Sequence, residues 1–279
     1  MNREEKKMRV KSLGVVALAI ALCFTANLVW AGNIVINGST TVLPIAQRAA
    51  EAYMKQHPDV RISISGGGSG NGIKALIDGS TDIADSSRFI KDNEVKAAVE
   101  KGRYPVPFAV AYDCIVPVVH PSNSITNLTL DQLKAIYKGE VKNWKDVGGP
   151  DREVVVVSRD TSSGTYEVWE EKVMKKERVY PGALLQASNG AVVQAVSKNK
   201  NAIGYIGLGY LDASLKAASV NRITGSPETT LNGTYPISRP LYMFTAGWPK
   251  GDTLNFINFV LHPQKGQKYV AEAGYVPLY

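Results

Sequence analysis

Short runs of apolar residues alternate with amphipathic stretches almost to the end of the chain. The run 33–36 predicts a strand. Val42, Ile45, Ala46, Ala49, Ala50, Tyr53 and Met54 then recur at helical spacing, one apolar stripe that Pro58 closes. Val60, Ile62 and Ile64 alternate with polar neighbours, the period of a strand over 60–65. The same reading gives a helix over 73–78, a strand over 82–87 and a helix over 92–101. The long apolar segment 106–119 fits either a strand pair or one extended strand broken at Pro117. Further on come helices over 130–138, 165–176, 191–198 and 253–261, strands over 154–157, 202–206 and 236–245, and a last helix opened by Pro263. Repeated βα units with apolar strands predict an α/β fold of mainly parallel sheets covered on both faces.

One segment stands outside this alternation. Residues 1–11 hold Arg3, Lys6, Lys7, Arg9 and Lys11 against Glu4 and Glu5, a local excess of +3, and residues 12–31 carry no charge. A basic head, an apolar run and Val29-Trp30-Ala31 at its end make a secretory signal peptide over 1–31, with Gly32 as the first mature residue. An uncleaved anchor is the alternative, since about 20 apolar residues can just span a bilayer. Cys23 does not make a lipoprotein site, because Leu22 before it is too large.

Composition matters mainly once that segment is set aside. The formal charge of +7 over 279 residues invites a polyanion partner, but removing 31 residues and +3 leaves 248 residues and +4. The remaining basic residues form no patch: Lys172, Lys175, Lys176 and Arg178 lie among Glu170, Glu171 and Glu177, a solvated face that argues against nucleic acid. Cys114 is the one cysteine left, so no intramolecular disulfide can form, which fits an exported bacterial, periplasmic protein.

Candidate chemistry gathers where strands hand over to helices. Four segments carry small hydroxyl residues and glycines there: 37–41 (Asn-Gly-Ser-Thr-Thr), 65–72 (Ser-Gly-Gly-Gly-Ser-Gly-Asn-Gly), 85–88 (Asp-Ser-Ser-Arg) and 158–165 (Ser-Arg-Asp-Thr-Ser-Ser-Gly-Thr). Such loops offer free backbone N–H groups, the positive end of a helix dipole and hydroxyl donors together. Singly, each is an N-cap and a tight turn. Together, with Arg88 and Arg159 at two of them, they point to an oxyanion, because a guanidinium presents a planar fork of donors.

Other readings fit less well. The glycine-rich loop is no nucleotide motif, since Gly72 is followed by Ile73 where a phosphate loop needs lysine, and no G-x-G-x-x-G register fits. His57, His120 and His262 each precede a proline, form no metal-spaced pair and do not cluster. Neither a metal site nor a cofactor site is expected. An exported phosphate-ester hydrolase, with Ser163 or Ser69 as nucleophile and a distant histidine, stays open as the alternative, although Ser163 is not in a G-x-S-x-G elbow.

These residues resemble the phosphate-binding, substrate-capturing proteins of bacterial ABC importers, in the type II periplasmic-binding-protein superfamily. The likeness runs from about Asn33 to Tyr279. It rests on Gly38-Ser39-Thr40-Thr41-Val42 with Pro44, on Gly-Gly-Gly-Ser-Gly-x-Gly at 66–72 and on Ser-Arg-x-x-Ser-Ser-Gly-Thr at 158–165. Asn201-Ala202-Ile203-Gly204-Tyr205 and Ala273-Gly274-Tyr275-Val276-Pro277-Leu278 add to it. The resemblance implies two α/β lobes, 32–112 with 240–279 and 113–239, joined by crossings near Tyr112 and Pro240, with inorganic phosphate held between them. It implies a non-catalytic, monomeric binder that an ABC permease recognises in its closed form.

Carried over by position, Thr40 and Thr41, with Ser39 beside them, match the first-loop ligands, and Ser69 matches the serine that opens the second helix. Arg159, Ser163, Gly164 and Thr165 match the arginine and hydroxyl loop of the second lobe. One departure stands out: Ser87, followed by Arg88, occupies the place of a ligand-binding aspartate. A buried carboxylate accepts only from a protonated oxyanion and so favours phosphate over sulfate, whereas a serine weakens that filter. Another tetrahedral oxyanion is therefore the nearest rival ligand. Asp85, two residues earlier on the same strand face, and Asp113, near the proposed crossing, are the candidates to supply an acceptor, but neither is expected to.

Overall fold

The computed structural model describes residues 32–279, so the expected signal peptide and its cleavage point lie outside the described residues. The first half runs β1 (Gly32–Gly38), α1 (Leu43–Gln56), β2 (Val60–Gly66), α2 (Ser69–Asp78), β3 (Ile83–Ser86), α3 (Asp92–Glu100) and β4 (Pro105–Val119). It continues through β5 (Asn127–Leu128), α4 (Leu130–Tyr137), β6 (Val155–Arg159), α5 (Gly164–Lys172), β7 (Leu184–Gln186), α6 (Asn189–Ser197) and β8 (Ala202–Gly207). The chain closes with β9 (Lys216–Ala217), β10 (Ser219–Val220), α7 (Pro227–Leu231), β11 (Ser238–Ala246), α8 (Gly251–Leu261) and α9 (Gly266–Glu272).

The main sheet has the order β2-β1-β3-β11-β4-β8-β6-β7. β1 pairs in parallel with β2 and β3, and β6 pairs in parallel with β7 and β8, as the βα alternation predicts. β4 and β11 are the exceptions. They run antiparallel to each other and to the strands they join. The first two-thirds of β4 pairs β11 from Pro105 to Cys114, and the remainder, Ile115 to Val119, pairs β8. Segment 106–119 is thus one continuous strand, neither split nor broken at Pro117, which sits opposite Tyr205 of β8.

Two large cores flank this handover. One packs Ile34, Ile36, Ile45, Ala49, Tyr53, Met243 and Phe256 and draws on residues 34–111 and 241–275. The other packs Val116, Val118, Trp144, Trp169, Tyr205 and Ile237, all from 114–237. The predicted stripe of α1 is the buried one: Ile45, Ala46, Ala49, Ala50 and Tyr53 are at most 2 % exposed. The helix expected over 165–176 ends early, at Lys172, because Lys175 and Lys176 turn left-handed and redirect the chain. The last helix likewise starts at Gly266, three residues after Pro263. Among the described residues no helix is long and apolar enough to cross a membrane.

Because β1, β2 and β3 are parallel, their carboxyl ends lie along one edge, and so do those of β6, β7 and β8. The hydroxyl- and glycine-rich loops sit at those ends, where open α/β sheets bind ligands.

Candidate anion site between the two halves

The first loop is set by a close approach. Gly38 has φ +140, and a Cβ there would stand 2.2 Å from the Asp85 carbonyl oxygen, so only glycine fits. The Ser39 N–H donates to that carbonyl at 2.8 Å. Ser39 Oγ in turn accepts from the N–H of Thr41 (3.1 Å) and Val42 (3.4 Å), closing the start of α1. Thr40 and Thr41 are left with their hydroxyls facing the other half of the molecule. Asn189 Nδ2, the first residue of α6, donates to Thr40 Oγ1 at 3.2 Å and Thr41 Oγ1 at 3.0 Å. The Tyr210 hydroxyl donates to the Thr40 carbonyl at 2.7 Å.

The second loop brings the N-terminus of α2 to the same place. Gly67 and Gly68 N–H groups donate to the Gly38 carbonyl, which draws the loop onto β1. Ser69 is fully buried, and its Oγ accepts from the Ser87 N–H at 3.0 Å and lies 3.3 Å from Ser87 Oγ. Gly164, the first residue of α5, packs directly on this pair: a Cβ there would be 2.5 Å from Ser69 Oγ and 2.9 Å from Ser87 Oγ. Ser163 caps α5 by accepting from the Tyr166 N–H at 3.2 Å. Thr165 Oγ1 lies 3.0 Å from Thr41 Oγ1, a direct meeting of hydroxyls 124 residues apart in sequence.

Arg159 ends β6 and is 1 % exposed. Tyr205, stacked on Trp169 at 4.2 Å, aims its hydroxyl at the Arg159 N–H (3.2 Å) and at Ser158 Oγ (2.9 Å). The guanidinium is then fixed by Nε on the Gln186 carbonyl and Nη2 on the Ala187 carbonyl, both at 3.0 Å. Its Nη1 is buried with no partner among the described residues. Burial pulls the Arg159 pKa down, and the Arg239 charge nearby acts the same way. An arginine so held, with one donor edge unspent and no carboxylate bonded to it, is primed for an anion.

Arg88 is elsewhere. Its Nη1 and Nη2 grip Glu94 at 2.8 and 2.6 Å, Nη1 also reaches the Phe89 carbonyl, and Nε lies 2.8 Å from Glu167. The expected ligand role gains no support from these contacts, since Glu94 takes both terminal nitrogens of the fork and Glu167 lies against Nε. Asp85 is buried, one carboxyl oxygen has no partner among the described residues, and burial pushes its pKa well up.

Two residues at this place, Arg239 and Asn189, were missed in the sequence, and Asp113 was weighed there only as an acceptor. Arg239, at the start of β11, faces Asp113 across the β4–β11 ladder. Its Nε and Nη2 donate to Asp113 Oδ2 at 3.0 and 2.8 Å, Nη1 donates to the Ser87 carbonyl, and Nη2 also reaches Thr165 Oγ1 at 3.0 Å and Thr41 Oγ1 at 3.4 Å. Asp113 Oδ1 accepts from the Leu208 N–H. Burial pushes the Asp113 carboxyl up while Arg239 pulls it back. With donors on both oxygens it is spent as an acceptor. Asn189 was within reach of the reasoning, because Ser188-Asn189-Gly190 repeats the pattern of polar residues and glycine at a helix start, with Ser188 as N-cap. Arg239 gave no such signal, as it sits inside a strand.

Summed, the place offers hydroxyls, helix N-termini and one uncompensated arginine, beside a balanced Arg239–Asp113 pair. Such a set binds a compact oxyanion without a full countercharge.

The comparisons with known proteins agree. The family model of a PBP superfamily domain matches residues 30–264. Phosphate-binding protein PstS of Staphylococcus epidermidis is 37% identical over 253 residues, covering 86% of this chain and 77% of that protein. A Clostridium perfringens crystal structure with bound phosphate, assigned as a phosphate ABC transporter substrate-binding protein, is 35% identical with a TM-score of 0.83. It covers 88% of this chain and 100% of its own. An ABC-type phosphate transport receptor from Vibrio cholerae is 35% identical, with a TM-score of 0.71 over 87% of this chain and 99% of its own. The chain belongs to the PBP superfamily and, within it, to the family of the phosphate-binding protein PstS, with the two-lobed type II fold of that superfamily.

Proposed function

We propose that the protein captures inorganic phosphate between its two lobes and delivers it to the permease of an ABC importer. The carrying observation is that Thr41 and Thr165, from opposite halves, meet at 3.0 Å, while Arg159 of the second half holds a buried guanidinium with an unspent donor. The lobes are assigned as 32–112 with 240–279 and 113–239, a division that follows the two apolar cores. Thr40, Thr41, Ser69 and Ser87 bind from the first lobe, and Arg159, Ser163, Gly164 and Thr165 from the second. Arg239 completes the set at the crossing, and Ser39 holds the first loop in shape.

The mechanism follows from desolvation. A doubly charged anion loses its water only if aimed donors replace the shell. Those donors come from both lobes, so the ligand favours the closed arrangement and shifts the hinge equilibrium towards it. The protein works as a non-catalytic, monomeric binder. Ser69 Oγ and Ser163 Oγ accept backbone N–H bonds and, among the described residues, have no histidine or carboxylate partner, which gives the hydrolase alternative no support. The basic and apolar first 31 residues direct export to the periplasm.

The test is equilibrium binding of labelled phosphate to the purified protein, with arsenate and sulfate as competitors. Arg159→Ala should weaken phosphate about 100-fold or more, the loss of a buried charge-assisted contact. Unchanged affinity would defeat the site assignment, and turnover of a phosphate ester would sink the non-catalytic reading.

A further inference from the structure

Outside the anion site, one cluster of charged side chains spans the two halves. Arg88, Lys91 and Glu94 belong to the segment that follows β3 and opens α3, and Glu167 belongs to the first turn of α5. Arg88 Nε lies 2.8 Å and Lys91 Nζ 2.7 Å from Glu167 Oε2. The Arg88 contact is a close ion pair rather than an aligned hydrogen bond. The Arg88 side chain is 6% exposed, that of Glu167 14% and that of Glu94 18%. An open groove of about 690 Å³ lined by Arg88, Lys91, Glu167 and Arg239 runs alongside.

Two features make this more than a surface ion pair. Arg88 is held by Glu94 through two parallel bonds, and Glu94 also accepts from the Lys91 N–H, so the cationic side is preassembled within one half. The fork is therefore ordered before Glu167 arrives, which removes most of the side-chain entropy cost. Glu167 in turn rides on the helix whose first residues are Ser163-Gly164-Thr165, the second-lobe donors. The motion that seats this helix N-terminus on an anion also seats Glu167 between Arg88 and Lys91.

We infer that Arg88, Lys91 and Glu167 form an electrostatic latch across the mouth of the cleft, which sets how fast the bound anion is released. The inference rests on the binding reading above and assigns the residues that tune it without touching the ligand. An interaction made only in the closed form multiplies apparent affinity by the factor with which it favours closure, and it acts on release rather than capture. Arg88 keeps Glu94 when the lobes part, so opening leaves no buried unpaired charge. Half-exposed Lys91 makes the latch sensitive to salt.

The experiment compares the parent protein with Glu167→Gln and Lys91→Met/Glu167→Gln. Phosphate affinity and release rate are read at low and high sodium chloride. The distance between spin labels on opposite lobes is read without ligand. Glu167→Gln should bind phosphate about tenfold more weakly, about 1.4 kcal/mol, almost all of it as faster release. Its salt dependence should flatten, and its ligand-free distances should shift towards the open form. Adding Lys91→Met should cost little more, because both changes remove one contact. If the parent binds phosphate and Glu167→Gln matches it in release rate and salt dependence, the latch is wrong and the binding reading stands. If the parent binds no phosphate, the binding reading fails, and the label distances alone decide the latch: identical distributions overturn it.

Discussion

Asp85 is a carboxyl placed where no charge partner reaches it. It is 1% exposed, and burial holds its pKa well above the ordinary carboxylate value. Folding therefore favours its protonated form relative to the unfolded chain, in which a carboxyl titrates near about pH 4. A raised folded pKa means that this stability is complete below about pH 4 and is lost as pH rises through the folded value. Asp85→Asn imitates the neutral form, so its melting temperature should exceed that of the parent at pH 7.5, and the two should converge near pH 4. Equal melting temperatures at pH 7.5 would show that Asp85 carries no such penalty. Asp113 is already engaged by Arg239 and the Leu208 N–H. With Ser87 in the place of a carboxylate and Asp113 engaged by Arg239, sulfate should compete for the cleft.

At the scale of elements, the site is a meeting of helix starts. α5 approaches α2 so closely that Gly164 has no room for a side chain beside Ser69 and Ser87. Gly164→Ala should leave the melting temperature nearly unchanged, because each half keeps its own core. Phosphate affinity should fall by about tenfold or more, since even a small displacement of donors forfeits charge-assisted bonds. Titration calorimetry checks this, and parental affinity would mean that α5 does not close on α2. Helix starts were also where the sequence was most informative. Ser39-Thr40-Thr41, Ser69 and Ser163-Gly164-Thr165 all converge on one place. Arg88 shares their composition yet turns to Glu94 and Glu167, because the arginine's partners lie on α3 and α5, which composition at one strand end cannot reveal.

For the whole molecule, the decisive parts are the two strands that belong to both halves. Arg239 on β11 and Asp113 on β4 form a buried pair across that ladder, and Arg239 also touches Thr41, Ser87 and Thr165. Removing one partner strands the other charge. Arg239→Met should therefore destabilise the protein by about 3–5 kcal/mol in urea unfolding. A loss below about 1 kcal/mol would mean that solvent reaches Asp113. The pair sits where the chain crosses between cores, so it ties the first loop, Ser87 and the start of α5 into one network.

The sequence by itself determined the βα alternation, the apolar stripe of α1, the placing of hydroxyl and glycine loops at strand ends, and the position of Arg159 at the end of its strand. Each is a local matter of period, capping or backbone freedom, readable from neighbours a few residues apart. Only the tertiary structure decided that 105–119 is one strand shared by two cores and that Arg239 reaches Thr41 and Thr165. It also decided that Asn189 reaches Thr40 and Thr41 and that Arg88 is drawn into an ion-pair cluster. Those outcomes depend on contacts as much as 198 residues apart. They follow from which charges burial leaves in need of a partner, and no local pattern records that.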